Sequence, residues 1–442
     1  MNRKTGSDYA KPEERLKQGR TARQRLGRKS VAKIRASKRS FDPIELLLSK
    51  TEDRIPRLLP VKYGRMAASP FAFFRGAVAI MAADLAAHPH SNLRVQLCGD
   101  AHVRNMGCFA SPDGRIIFDL NDFDETISGP WEWDVKRMAT SLVLAGRESG
   151  HNKSQCTAAV ECFVGAYCNL MEKLADLPVL EAARYQIHRV KKAGPVYDAL
   201  KQAERANPAD LLLKYAEEQP KGGAKFKKVK DLVWPIAGER RSAVLHSLKL
   251  YQESLGPERR HVFSFFRPRD VAFKIVGTGS IGLRDYIILM EGNGLKDPLF
   301  LQFKQETASA YELCLKSPPV DSQGRRVVEG QRRIQPLSDP LLGWTRIDGF
   351  DYLVRQLNDH KSSVNLEKLE AEGLSSLAEI AGELLARGHA RSGDPLALKG
   401  YIGRPNRVVN AIVEFALKYA EQTEADFEEF ANAIKKGRVK VR

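Results

Sequence analysis

The sequence has no apolar run long enough to cross a bilayer. The longest, Ala77 to Ala87, is interrupted by Asp84, whereas a spanning helix needs about 20 apolar residues. The opening Met-Asn-Arg-Lys-Thr-Gly has no apolar core, and no secretory signal is read there. The six cysteines form no Cys-x-x-Cys pair and are too sparse for a disulfide framework, so a reducing, cytoplasmic compartment is expected. Cys156, Cys162 and Cys168 fall in an apolar helical stretch and read as small core residues. Most of the chain also lacks an excess of either charge. The formal net charge is +17, of which residues 1–40 carry +11 and residues 435–442 carry +5, leaving +1 for the 394 residues between. Any weak nucleic-acid or anionic-surface contact is therefore confined to two basic tails, and a charge run without interleaved aromatics signals it poorly.

What is present suffices for a large folded body. Hydrophobic residues make up 43% and charged residues 28% of 442, which excludes wholesale disorder. That length suits two or three domains or one large bilobal fold. Ser69-Pro70 opens an apolar helix running to about His88, and a strand follows from Leu93 to Leu97. Met106 to Ala110 and Arg115 to Leu120 read as a hairpin across Ser111-Pro112-Asp113-Gly114. From Trp131 to about Leu250 the pattern is mainly helical, with an exposed loop over Glu218 to Asp231. Strand-like runs then dominate: Val271–Val276, Asp285–Met290, Leu299–Phe303 and Ile347–Leu357. Helical spacing returns from Leu366 to Leu385 and from Arg407 to about Ile434.

The first strand leads into Gly99-Asp100-Ala101-His102-Val103-Arg104-Asn105, and the hairpin delivers Asp119, Asp122 and Asp124. Phosphoryl transfer from Mg·ATP needs this inventory: one carboxylate to orient the acceptor hydroxyl, an Asn and a second carboxylate to hold Mg²⁺. Surface turn acids are the bland alternative. Gly-Asp-x-His is also how binuclear metallophosphoesterases open, with Asp100 and His102 as ligands. The further Gly-Asp-x-x-Asp and Gly-Asn-His motifs of that fold are missing.

Gly277-Thr278-Gly279-Ser280-Ile281-Gly282 fits GxGxxG, but the run after it is β-branched and aromatic, not helical. Strand, glycine turn and strand form the flap whose backbone N–H groups cover ATP phosphates in kinases. The next strand, Leu299 to Lys304, ends in the lysine expected to anchor phosphate. Its carboxylate partner is expected on a helix at Glu329, with Glu306 and Glu312 as fallbacks. Tyr352 to Leu357 leads to an expected hinge where backbone at Gln356 and Leu357 meets adenine.

In ordinary kinases the glycine flap precedes the catalytic loop; here it follows by about 180 residues. A circular permutation accounts for this, because assembly in space outweighs chain order. The expected organisation is a flexible basic arm (1–40), a helical lobe (41–260, completed by 363–434), a β-rich nucleotide lobe (261–362) and a basic tail (435–442). ATP lies between the lobes.

Pro70-Phe-Ala-Phe-Phe-Arg75-Gly76, Gly99 to Asn105, Asn121-Asp-Phe-Asp-Glu125 and Trp131-Glu-Trp-Asp134-Val-Lys-Arg137 together resemble a bacterial family, domain of unknown function 2252. Val276 to Gly282, Phe303-Lys304, Arg355-Gln-Leu357 and His389-Ala-Arg-Ser392 extend the resemblance over about residues 41–430. The resemblance implies a kinase-like fold of the aminoglycoside-phosphotransferase type. It makes Asp100 the catalytic base, Asn105 a metal ligand and one hairpin acid the second ligand, with Asp122 preferred over Asp119.

The expectation is thus an α+β, bilobal, circularly permuted protein-kinase-like enzyme that transfers phosphate from Mg·ATP to a hydroxyl acceptor, small molecule or protein. Nucleotidyl transfer, metallophosphoesterase action and non-catalytic nucleotide or nucleic-acid binding are the alternatives. Asp134 is expected to bond the catalytic-loop backbone or to favour its own helix dipole. His102 is read as filling its loop, and His389 as structural. Arg65, Arg75 and Arg137 are read as pairing with the acid cluster or facing an anion.

Overall fold

The helix Trp131–Glu148 is buried at every position from Trp131 to Gly146, as a helix packed on all sides must be. In the computed structural model, which describes all residues except 1–9, 35–38, 50, 52, 188–193, 207, 220–222, 231, 276–279, 295–296, 316 and 358–360, this helix is the axis of the main core. Around it pack Lys153–Asp176, Ala371–Ser392 and Pro405–Lys435. Trp131, Tyr167, Leu384 and Phe415 meet in that core. Its buried ammonium, Lys136, lies 4.5 Å from the centre of the Phe415 ring, which stands in for a counter-charge. Cys156 and Cys168 are core residues as expected, whereas Cys162 is exposed; all six cysteines are free thiols.

Four short strands rest against this core. β1 (Arg94–Leu97) pairs antiparallel with β4 (Ile127–Pro130). Between them β2 (Met106–Ala110) and β3 (Ile116–Leu120) form the expected hairpin, with Met106 opposite Leu120.

The remaining strands are β5 (Ala216–Glu218), β6 (Ala224–Phe226), β7 (Val233–Pro235), β8 (Arg267–Lys274), β9 (Asp285–Glu291), β10 (Pro298–Glu306), β11 (Gly343–Ile347) and β12 (Phe350–Gln356). Six of them build one antiparallel sheet in the order β11-β12-β10-β9-β8-β7. The run expected at 347–357 is divided by a turn at Asp348-Gly349, both with positive φ, so it makes two strands.

Side chains alternate along β10. Leu301 and Phe303 pack with Val244, Tyr251 and Phe263 from the helices of residues 238–263, while Phe300 packs with Leu211, Tyr215 and Phe226 on the opposite face. Burial on both faces explains the continuous apolar runs of β9 and β10. Side chains from residues 211–263, expected in the helical lobe up to residue 260, thus pack on this sheet. Helical periodicity marks residues 211–260 as partly helical but cannot say that the sheet, not the main core, receives their apolar faces. The expected loop at 218–231 contains most of the β5–β6 hairpin, with Phe226 buried.

The arm expected to be flexible is docked over its described part. Helix Pro12–Arg25 lies on helix Pro395–Ile402 so closely that a Cβ on Gly19 would stand 1.9 Å from the Ala397 carbonyl oxygen. Arg15 grips Asp394 through two bonds of 2.7 and 2.8 Å. Arg39 bridges Asp84 and Asp426, all three nearly buried, and Tyr419 donates to Asp84 at 2.6 Å. In the basic tail, the Arg442 N–H donates to the Pro60 carbonyl and Val439 is buried. Removing one partner of a buried ion pair costs about 3–5 kcal/mol. Arg39→Ala strands two acids at once and is expected to lose at least that much in urea unfolding at pH 7.5. A loss below about 1 kcal/mol would show the arm to be dispensable. Among the described residues no helix is long and apolar enough to cross a membrane.

Candidate active site

β1 ends in a loop that the central helix holds in shape. Asp134 accepts the N–H groups of Cys98 and Gly99 at 2.7 and 3.0 Å, as expected for it. His389 supports Asp134 at 3.3 Å and is bonded in turn to the Tyr167 hydroxyl at 2.9 Å. Gly99 has φ +85°, and a Cβ there would stand 2.2 Å from the Glu125 carbonyl oxygen; only glycine lets the two loops approach so closely. Ser141 accepts from the Val103 N–H, and Tyr311 donates to the Gly99 carbonyl at 2.7 Å.

Asp100, fixed by this loop, accepts from Arg137, a guanidinium with no solvent exposure, at 2.7 Å. Burial opposes the charged carboxylate, but Arg137 and His102 outweigh it and hold Asp100 below the usual carboxylate range. His102 accepts the Arg104 N–H at Nδ1, so its proton sits on Nε2, 3.5 Å from Asp100. Burial pushes the His102 pKa down and keeps the ring neutral against the pull of Asp100. Asn105 donates its amide nitrogen to the Asp100 carbonyl at 2.9 Å, leaving its amide oxygen as an acceptor.

The three hairpin acids part ways. Asp119 is buried and accepts from Arg387 at 2.6 Å, away from the loop. Asp122 and Asp124 instead face a cleft of about 620 Å³ together with Asp100 and Asn105. Into this group reaches Lys304 from β10, with Nζ 2.6 Å from Asp124 Oδ1 and 3.4 Å from Asp122 Oδ1. Both acids are resisted by burial; Lys304 brings Asp122 below its ordinary range, while burial and the Asp122 charge push Asp124 up to about 7.

A carboxyl raised in the folded state keeps a proton that the unfolded chain releases from about pH 4 upward. Stability is therefore expected to fall as pH rises toward the Asp124 value. Asp124→Asn should flatten the dependence between about pH 5 and 7, as read from urea unfolding across that range. An unchanged slope would assign that titration elsewhere.

The glycine turn is only partly described. Gly277, Thr278 and Gly279 lie outside the described residues. Ser280 lines the cleft, and Gly282 has φ +93°. The segment before helix Leu59–Met66 clamps the end of the turn: Ile55 N–H donates to the Gly282 carbonyl at 2.7 Å and Arg54 to that of Ile281 at 2.5 Å.

Other expected contacts differ. Glu329 pairs with Arg325 at 2.7 Å on the solvent side of its helix, and the acids bonded to Lys304 are Asp122 and Asp124. Glu306, two residues beyond Lys304 on the same strand face, is buried with Oε1 unbonded. At the expected hinge, the Gln356 N–H bonds Asp339 and the Leu357 N–H bonds the Phe300 carbonyl, so neither donor is free for adenine. The chain beyond, 358–360, lies outside the described residues. Sequence reasoning missed Arg54 and Lys62. Lys62 is buried, lines the cleft, and has no hydrogen-bond or ion-pair partner among the described residues. Nothing in the sequence distinguishes it from an ordinary helix lysine.

Residues 54–433 match the family described as "Uncharacterized protein conserved in bacteria (DUF2252)". The chain belongs to this family. No curated protein and no solved structure matches it. The match excludes helix Pro12–Arg25, the basic tail and three residues at the edge of the cleft, Leu47, Ser49 and Asp53, and contains the rest of its lining. Five segments that carry the family resemblance supply Arg75, Asp100, Asn105, Asp122, Lys304 and Arg355 to one place, and His389 supports the loop from behind.

Proposed function

We propose that the cleft binds Mg·ATP and transfers its terminal phosphate to an acceptor hydroxyl, in a circularly permuted, bilobal kinase-like arrangement. The observation that carries this reading is the Lys304 contact. An ammonium on the second strand after a glycine turn meets two acids from a hairpin 180 residues earlier in the chain. The order from β8 through the turn, β9, Lys304 on β10, helix Gln323–Ile334 and β11–β12 repeats that of a kinase nucleotide lobe.

The donor set fits magnesium. Asp122, Asp124 and the Asn105 oxygen are hard oxygen ligands, and Mg²⁺ commonly takes one or two carboxylates and completes its shell with phosphates and water. No group of three His, Cys, Asp or Glu side chains that could hold a metal occurs among the described residues, and the set here is two carboxylates and an amide. When bound, the ion would neutralise charge on the phosphates. Lys304, with Arg54 on the glycine-turn side, supplies positive charge to the same end. Asp100 orients the acceptor O–H. The new O–P bond forms as the bond from the γ-phosphorus to the β–γ bridging oxygen breaks, ADP leaves with that electron pair, and the hydroxyl proton passes through Asp100 to water. Both ring nitrogens of His102 are engaged within its loop, which favours this reading over a metallophosphoesterase.

A ligand at 100 times its dissociation constant adds about 2.7 kcal/mol to the native state. Mg·ATP is expected to raise the unfolding temperature, and chelation with EDTA to remove most of that shift. Incubation with ATP labelled at the γ- or the α-phosphate then separates phosphate transfer from nucleotidyl transfer. No metal-dependent shift would overturn the reading.

A further inference from the structure

The cleft holds more positive charge than a nucleotide uses, and two of the surplus cations stand beside Asp100. Arg75 closes the short helix Pro70–Gly76, and Arg104 belongs to the Asp100 loop; both line the cleft. Arg75 has no hydrogen-bond or ion-pair partner among the described residues, and its Nε is buried without one. The nearest acid to Arg104, Glu367, is a largely exposed side chain 3.8 Å away. Burial lowers the Arg75 pKa, the Arg104 charge lowers it further, and Asp100 is the first charge acting in its favour. Two guanidinium groups that repel each other, one partly desolvated, destabilise the empty protein unless an anion joins them.

Their position separates them from the nucleotide end. Arg54 bonds the end of the glycine turn at the Ile281 carbonyl, whereas Arg104 lies four residues after Asp100 in the same loop and acts on Arg75 together with Asp100. Asp100 itself is already satisfied by Arg137, so it leaves the Arg75 fork for a ligand. Paired guanidinium forks suit the several oxygens and double charge of a phosphate group better than a single carboxylate.

We infer that Arg75 and Arg104 seat a phosphate group carried by the acceptor, so that the substrate is a phosphorylated hydroxyl compound held with its hydroxyl at Asp100. The assignment of this anion to the acceptor rests on the kinase reading above; the anion seat itself rests on Arg75, without a partner among the described residues, and on Arg104, whose ion pair with the exposed Glu367 is long.

The test uses the full chain and inorganic phosphate as the probe. Thermal unfolding is followed at pH 7.5 and constant ionic strength, with and without saturating magnesium and a non-hydrolysable ATP analogue, for wild type, Arg75→Gln and Arg104→Gln. Phosphate is expected to add a saturable shift on top of that of the nucleotide. Each substitution should weaken phosphate binding at least tenfold while leaving the nucleotide shift in place. Arg104 is about one-third exposed, so Arg104→Gln remains informative if Arg75→Gln fails to fold. A phosphate shift that is absent, equal in the variants, or abolished by the nucleotide overturns the inference and leaves the kinase reading standing. An arginine-dependent phosphate shift without any nucleotide shift keeps the anion seat and overturns the kinase reading.

Discussion

Lys304→Met is expected to abolish most of the Mg·ATP-dependent stabilisation and to destabilise the free protein in a pH-dependent manner. The ammonium is buried and stands between Asp122 and Asp124, with Glu306 on the same strand face. Its own pKa is raised above the ordinary lysine value: burial opposes the charge, but Asp122 and Asp124 prevail. Without it, carboxylates repel across a partly desolvated space, and breaking such a pair costs about 3–5 kcal/mol when both groups are buried. Asp122 and Asp124 keep some solvent contact, so roughly 2 kcal/mol is the expected loss at pH 8. Most of it should return at pH 5, where the acids take up protons, and Lys304→Met/Asp124→Asn should recover it at pH 8. The measurement is urea unfolding at the two pH values, with nucleotide binding followed by the unfolding temperature. A variant that keeps the full nucleotide shift would remove Lys304 from the phosphate site.

The second large effect separates the chemical role of Asp100 from its structural one. Asp100→Ala leaves Arg137 fully buried with, among the described residues, the Phe74 carbonyl at 3.1 Å, the Met81 thioether at 3.5 Å and the Phe74 ring but no carboxylate partner, and about 3–5 kcal/mol of stability is expected to go with it. The double variant Asp100→Ala/Arg137→Met removes charge from both sides, and most of the stability should return. Phosphate transfer should stay depressed by about 10²–10⁴-fold in both variants, the usual worth of a positioned acid or base, while Mg·ATP still stabilises the double variant. If activity returned together with stability, Asp100 would be no more than the counter-ion of Arg137.

The local elements around the cleft were readable from the chain because their signals are local. Ser111-Pro112-Asp113-Gly114 permits little but a turn, and the alternation beside it fixed the hairpin that carries Asp122 and Asp124. The β-branched run after Gly282 distinguished a strand from a helix and placed Lys304 on the strand after it. Asp134 was traceable as a support because it opens a helix just after the hairpin.

Pairing was not readable in the same way. Asp119, Asp122 and Asp124 are equivalent carboxylates in sequence, and only the fold turns Asp119 to Arg387 and the other two to Lys304. Glu329 looked like the partner of Lys304 because it lies on a helix after the lysine strand, yet the helix turns it to Arg325. The same holds for the arm. Its charge pattern reads as solvated, and the contacts that dock it, Arg15 with Asp394 and Arg39 with Asp84 and Asp426, span 379, 45 and 387 residues.

Composition, periodicity and turn chemistry thus settled the α+β content, the hairpin, the strand after Gly282 and the set of side chains available for chemistry, since each depends on neighbours within a few residues. Tertiary structure decided which carboxylate meets which cation, which helices cover the sheet, and that Lys62 and Arg75 stand at a cleft without a hydrogen-bond or ion-pair partner among the described residues. Those outcomes depend on desolvation and on charges brought together from distant parts of the chain, and neither quantity exists until the chain has folded.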